Sequence, residues 1–132
     1  MTTEGAIFDE TRQYRYMLWR DFTYSFDPRF DMPNRAKTSI LFIGLNPSTA
    51  DEKINDPTVR RMIRWARAWG YDRLYVGNLY PQRATNPKNL TLPQPTDKFS
   101  RNEDYLLAMH AQSDKTVVSW GANASQSDSV YV

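Results

Sequence analysis

Cysteine is absent from the 132-residue chain, and histidine occurs once, as His110. Without cysteine there is no disulfide framework, no thiol nucleophile and no thiolate metal site, and one histidine does not complete a Cys/His zinc set. A Ser-His-Asp triad has only that one imidazole to draw on. Neither sign of charge dominates: 17 Lys and Arg stand against 15 Asp and Glu, for a net charge of +2. A nucleic-acid partner is therefore not implied by overall charge and has to be argued from where the charges fall. Long apolar runs are also missing, the longest falling far short of the roughly 20 residues that cross a bilayer. The opening MTTEGAIFDE is acidic and polar where a secretory leader is basic and then apolar. The expectation is a cytoplasmic protein with no membrane partner, no metal and no cofactor.

What the chain does have is aromatic and aliphatic bulk. It is 40% hydrophobic and 14% aromatic, with four Trp and eight Tyr, which argues against a disordered chain. One domain over residues 1–132 fits this length, at which about two thirds of the unfolded surface is buried on folding.

The rest of the sequence is read as serving residues 40–55, ILFIGLNPSTADEKIN. An apolar run suited to a buried strand, residues 40–45, stops at the turn formers Asn46, Pro47, Ser48 and Thr49. A polar loop leads on to Asp56 and Pro57, a helix cap followed by a residue that loses no donor in the first turn. The helix predicted over residues 57–69 has an apolar stripe of Val59, Met62, Ile63, Ala66 and Trp69, with Gly70 placed to cap its end. Arg60, Arg64 and Arg67 recur at helical spacing on another face, with Arg61 nearby, which is either a solvated face or a phosphate-binding one.

Before this core, residues 1–13 read as a loose lead-in and residues 14–22, YRYMLWRDF, as an antiparallel edge strand with Tyr16, Leu18 and Phe22 on one face. Residues 23–37 read as a connector or an irregular hairpin arm. After it, residues 72–78 form a second core strand ending at Asn78. Four prolines then prevent a regular element over residues 79–98, a long loop of the kind that is more often functional than idle. Ser100 and Glu103 match a capping box for a helix running to about Gln112, with Leu106, Leu107 and His110 toward the core. Residues 116–120, TVVSW, make a third core strand, followed by Gly121, Ala122 and Asn123.

These elements predict an α/β fold: a three-layer βαβαβ core with a mostly parallel sheet and an N-terminal antiparallel edge strand. Ligands gather at the carboxyl ends of strands in such sheets. Asn46, Pro47, Ser48 and Asp56 follow the first core strand, Asn78, Tyr80, Arg83 and Thr85 the second, and Trp120 and Asn123 the third. Asn46 and Asp56 are the candidate catalytic residues, Arg60 and Arg64 the candidate phosphate contacts, and the others candidate substrate contacts. Each has a plainer reading: Asn46 and Ser48 as a strand exit bonded to backbone, Asp56 as a cap, Trp120 as core. Trp65 and Trp69 read as packing residues, and His110 as non-catalytic.

The blocks YRYMLWR, LFIGLNPSTAD, NDPTVRRMIRWARAWGY, VGNLYPQRATNP and VVSWGAN resemble the bacterial and phage family known as domain of unknown function 1643. The resemblance runs from about Tyr14 to Asn123. The segment Gly44-Leu45-Asn46-Pro47-Ser48 is in addition similar to the Gly-Ile-Asn-Pro-Gly motif of the mismatch-specific branch of the uracil-DNA glycosylase superfamily. That likeness implies that Asn46 positions a hydrolytic water, with Asp51 or Asp56 supplying base character if folded close. Ser48 departs from the motif's last glycine. Relatives of both kinds continue to a His-Pro segment that does not occur before Val132, so a chain shortened at its C-terminus is one expectation.

Two functions of different class follow. One is hydrolysis of a nucleobase glycosidic bond in DNA or a nucleotide. The other is a non-catalytic nucleotide or nucleic-acid binding module that retains the pocket without the chemistry.

Overall fold

The computed structural model describes residues 4–22, 29 and 37–120. The expected connector over residues 23–37 falls mostly outside them, and the tail beyond Trp120, including Asn123, falls wholly outside them. In chain order the elements are β1 (Glu4–Phe8), β2 (Arg15–Asp21), β3 (Ser39–Gly44), α1 (Pro57–Ala68), β4 (Arg73–Asn78), a 3₁₀ turn (Pro87–Asn89), α2 (Thr96–Gln112) and β5 (Lys115–Val118).

The five strands form one sheet in the order β1-β2-β4-β3-β5. β3 pairs in parallel with both β4 and β5, whereas β1 with β2 and β2 with β4 are antiparallel. The sheet is mixed, not mostly parallel as the alternating pattern suggested, because two N-terminal strands join it.

Every residue of β3 is buried. Ile40 and Phe42 pack with Val59, Met62 and Ala66 of α1, whereas Leu41 and Ile43 pack with Leu106 and Met109 of α2. Successive strand residues point to opposite faces, so this alternation places one helix against each face of the sheet. A strand flanked on both edges and covered on both faces has no polar side, which is why its sequence is an unbroken apolar run.

Helix α1 has the termini the sequence predicted. Asp56 Oδ1 accepts from the Val59 N–H at 2.9 Å, and Pro57 opens the first turn. At the other end Gly70 adopts φ of 84°, while the Tyr71 N–H donates to Ala66 O and the Gly70 N–H to Arg67 O. This left-handed closure favours glycine and satisfies carbonyls that would otherwise be orphaned. Trp65 and Trp69 stack on each other and on Phe42, yet remain 44% and 53% exposed.

Helix α2 begins at Thr96, four residues before the expected Ser100, with Pro95 at the cap position and no side-chain cap. Its first turn is held instead by Lys98, which pairs with Asp9 at 3.1 Å across the molecule. Its core face is Asn102, Leu106 and Met109, while Leu107 and His110 are exposed, contrary to expectation. His110 Nδ1 hydrogen-bonds Thr116 Oγ1.

The N-terminal segment corrects two further expectations. Residues 4–8 are strand β1, not a loose lead-in, and β1 takes the sheet edge that residues 14–22 were expected to hold. Ile7 pairs with Met17 but Phe8 pairs with Arg15, so Tyr16 is an extra residue on β2 and the facing pattern slips there. Leu18 and Phe22 join the α1 side. Tyr16 instead stacks on Tyr105 of α2, centroids 5.6 Å apart.

Candidate functional site

The loops leaving β3 and β4 run side by side and are stitched together. The N–H groups of Leu79, Tyr80 and Ala84 donate to the carbonyls of Gly44, Leu45 and Pro47. Ser48 Oγ and Thr85 Oγ1 lie 3.2 Å apart. Arg83 locks the same seam: its Nε, Nη1 and Nη2 donate to the carbonyls of Ser48, Arg12 and Thr49. Between this seam and the N-terminal end of α1 is a cavity of about 300 Å³. Asn46, Pro47, Ser48, Asp56, Asn78 and Thr85 line it, with apolar walls from Val59, Met62 and Val76.

Six of the residues expected from sequence thus meet in one place. Asn46 is oriented by its own bonds: Nδ2 donates to Ala84 O at 2.6 Å and to Pro47 O at 3.0 Å. Two carbonyl acceptors fix which end of the amide is nitrogen. Oδ1 is left with no partner among the described residues. Asn78 is the complement. Its Oδ1 accepts from Arg15 Nη2 at 3.1 Å, and its Nδ2 has no acceptor among the described residues. One amide offers the cavity an acceptor and the other a donor.

Asp56 has a structural task beside any chemical one. Its two oxygens accept from the Val59 and Ala50 N–H groups, so it caps α1 and closes the preceding loop. Asp51 is not among the cavity residues. The N–H of Ile54, and then that of Lys53, hold its carboxyl below the ordinary range, which makes it a weaker base.

The remaining expected residues lie elsewhere. Tyr80 lines a separate cavity of about 550 Å³ with Leu92, Pro93 and Phe99. Trp120 belongs to the core cluster on the α2 side. Arg60 and Arg64 flank a surface depression beside Asn55, Pro57 and Ile63, with Arg60 Nη1 donating to Asn55 O. Arg83 has its donors on backbone carbonyls and adjoins a depression with Arg12 and Gln13.

The residue that sequence reading missed is Arg15. It lines the cavity with only 2% of its surface exposed, although an edge-strand arginine was expected. The slip at Tyr16 sets Arg15 on the α1 side of the sheet, where Nη1 donates to Ala50 O and Nη2 to Asn78 Oδ1. Its Nε is buried with no partner among the described residues. Burial lowers the Arg15 pKa to about 10, opposed by Asp56 and reinforced by Arg83 and Arg20, so the group remains a cation at neutral pH. Asn102 was also missed: buried on α2, it donates through Nδ2 to Asn78 O and fixes the end of β4. Asn102 stands among the polar residues Ser100, Arg101, Glu103 and Asp104, so nothing in the sequence singles it out for such a contact.

Among the described residues no group of His, Asp or Glu is placed to hold a metal ion, and no helix is long and apolar enough to cross a membrane. No curated protein and no solved structure matches the chain, so the likeness of residues 44–48 to a glycosylase motif stands on that motif alone. A family model does match, over residues 15–130, and the chain belongs to the family described as Protein of unknown function (DUF1643).

Proposed function

We propose that the cavity between the β3 and β4 loops is a binding site for a nucleobase-bearing ligand, a nucleoside, nucleotide or single base displaced from a strand. The observation that carries this reading is the pairing of free amide atoms, Asn46 Oδ1 as acceptor and Asn78 Nδ2 as donor, on one cavity. A nucleobase presents donors and acceptors along one edge and apolar faces above and below. Amides, hydroxyls and aliphatic walls are the groups that recognise such a shape. Ser48 and Thr85 add hydroxyls, and Val59, Met62 and Val76 supply the aliphatic contact. A volume of about 300 Å³ is in the size range of small-molecule sites.

Titration of the protein with nucleobases and nucleosides, followed by ligand-observed NMR, tests this. At least one is expected to bind, and Asn46→Ala is expected to weaken it about tenfold, the equivalent of one lost hydrogen bond. No binding by any nucleobase or nucleoside at millimolar concentration overturns the reading.

A second reading, hydrolysis of a glycosidic bond, is favoured by one feature: the fixed Asn46 amide leaves a carbonyl oxygen suited to orienting a water. The binding reading ranks above it because both Asp56 oxygens already accept a backbone N–H and no other carboxylate among the described residues lines the cavity. Release of free base from uracil-containing DNA, lost in Asn46→Ala, would reverse that order.

A further inference from the structure

We propose that Arg15 is the anion anchor of this cavity, so that the ligand class is one bearing an oxyanion, in the simplest case a phosphorylated nucleoside. This rests on the cavity being a nucleotide-type site, as proposed above, and adds what its charge selects.

A guanidinium has five N–H donors. Among the described residues Arg15 uses two of them, toward Ala50 O and Asn78 Oδ1. Nε is buried without a partner. Neither acceptor carries a charge, so the cation is desolvated and hydrogen-bonded to neutral groups only. That arrangement is costly unless an anion completes it. Asp56 is the carboxylate that lines the same cavity, but its oxygens already serve two backbone N–H groups. Arg61 also lines the cavity; Asp56 favours the Arg15 charge, while Arg83 and Arg20 disfavour it. With Arg15 and Arg61 against Asp56, the surplus among the cavity residues is positive.

Arg20 shows that burial alone does not make such a site. It is also buried, but it donates to Asn55 Oδ1 and to the carbonyls of Gly5, Trp19, Asp51 and Ile54. It holds a loop and is not among the cavity residues. Arg15 differs in lining the cavity with fewer of its donors engaged among the described residues.

The test is calorimetric titration of the full chain with inorganic phosphate, uridine and uridine 5′-monophosphate at constant ionic strength. Wild type is expected to bind phosphate, and to bind the monophosphate at least about tenfold more tightly than uridine, the scale of a charge-assisted contact. Arg15→Gln should remove phosphate binding and bring the two nucleoside ligands to similar affinity, while Arg15→Lys should retain part of the difference. If Arg15→Gln does not fold, Asn78→Asp is the alternative: it sets a carboxylate beside Nη2 and should abolish phosphate binding with Arg15 still present.

Equal affinity for uridine and its monophosphate, with no phosphate binding, overturns the anchor and leaves the nucleobase site standing. Phosphate binding unchanged in Arg15→Gln also overturns it. Arg15-dependent phosphate binding, with no added affinity from the nucleoside, upholds the anchor and overturns the nucleobase reading instead.

Discussion

At the scale of single residues, charge is managed in two ways. Arg73 and Asp21 face each other across the β2–β4 pair as a two-pronged ion pair, Nε to Oδ1 at 2.6 Å and Nη2 to Oδ2 at 2.8 Å. Both side chains are mostly shielded from solvent, and geometry of this kind is stronger than a typical surface pair. The Arg73 hydrogen bonds hold the Asp21 carboxyl below its ordinary value. A depressed carboxylate pKa contributes stability above the unfolded value, about 3.9, and loses it as pH falls through the folded value. Asp21→Asn should therefore cost about 1–3 kcal/mol at pH 7, having left Arg73 without its charged partner. The gap to wild type should narrow below about pH 4 as the wild-type carboxylate itself protonates. Urea unfolding at pH 7 and pH 3 measures both, and a gap of equal size at the two pH values would contradict the assignment.

Arg15, by contrast, has no carboxylate within hydrogen-bonding distance among the described residues, and nothing in YRYMLWR announces this. Strand alternation alone puts it on the face of Met17 and Trp19, which pack on the α2 side. One additional residue on β2 reverses that, because side-chain direction has a period of two and any single insertion flips it.

At the scale of elements, the legible parts were those whose signals are local. Asp56, Pro57 and Gly70 mark both ends of α1 because a cap is made by residues adjacent to the helix it ends. The start of α2 misled for the same reason. Ser100 and Glu103 have capping-box spacing, but Pro95 and the Lys98–Asp9 pair, the latter made across the chain, let the helix begin a turn earlier. Strand β1 was missed because it is short and contains Gly5, over which the Trp19 ring lies so closely that a Cβ there would meet Trp19 Cζ2 at 2.2 Å. A glycine required by a distant tryptophan looks, in sequence, like a loop glycine.

Gly77 has the same kind of role at the seat of α2. A Cβ at that position would lie 2.5 Å from Leu106 Cδ2 and 2.9 Å from Met109 Cε. Gly77→Ala is expected to destabilise by about 1–3 kcal/mol through overpacking. Adding Leu106→Val should recover part of the loss in a double-mutant cycle. Additive effects would mean that α2 does not press on β4 at that point.

For the molecule as a whole, the strand order decides where chemistry is possible. The chain crosses from β3 to β4 through α1 and then from β4 back past β3 to β5 through α2. The loops after β3 and β4 are thereby brought alongside each other at one rim. Arg60, Arg61 and Arg64 stand exposed on the part of α1 nearer this rim, which gives the nucleic-acid reading its own test. If a single strand is the natural carrier of the bound base, Arg60→Gln with Arg64→Gln should lower the slope of log affinity against log salt by about 1.4, or about 0.7 per phosphate contact. Fluorescence anisotropy with a labelled oligonucleotide across a salt series measures it. A slope unchanged by the double substitution would confine the site to free bases and nucleotides.

The sequence by itself determined that β3 and β4 are buried strands, where α1 starts and stops, and that amides and hydroxyls follow these strand ends, since each of these depends on neighbours within a few residues. Tertiary structure alone decided that Arg15 is buried at the cavity, that the Arg83 donors are taken by backbone, and that Asn46 and Asn78 leave opposite atoms free. These outcomes depend on which remote groups each polar atom meets once water is removed, and on a pairing register between β1 and β2 that no local pattern encodes.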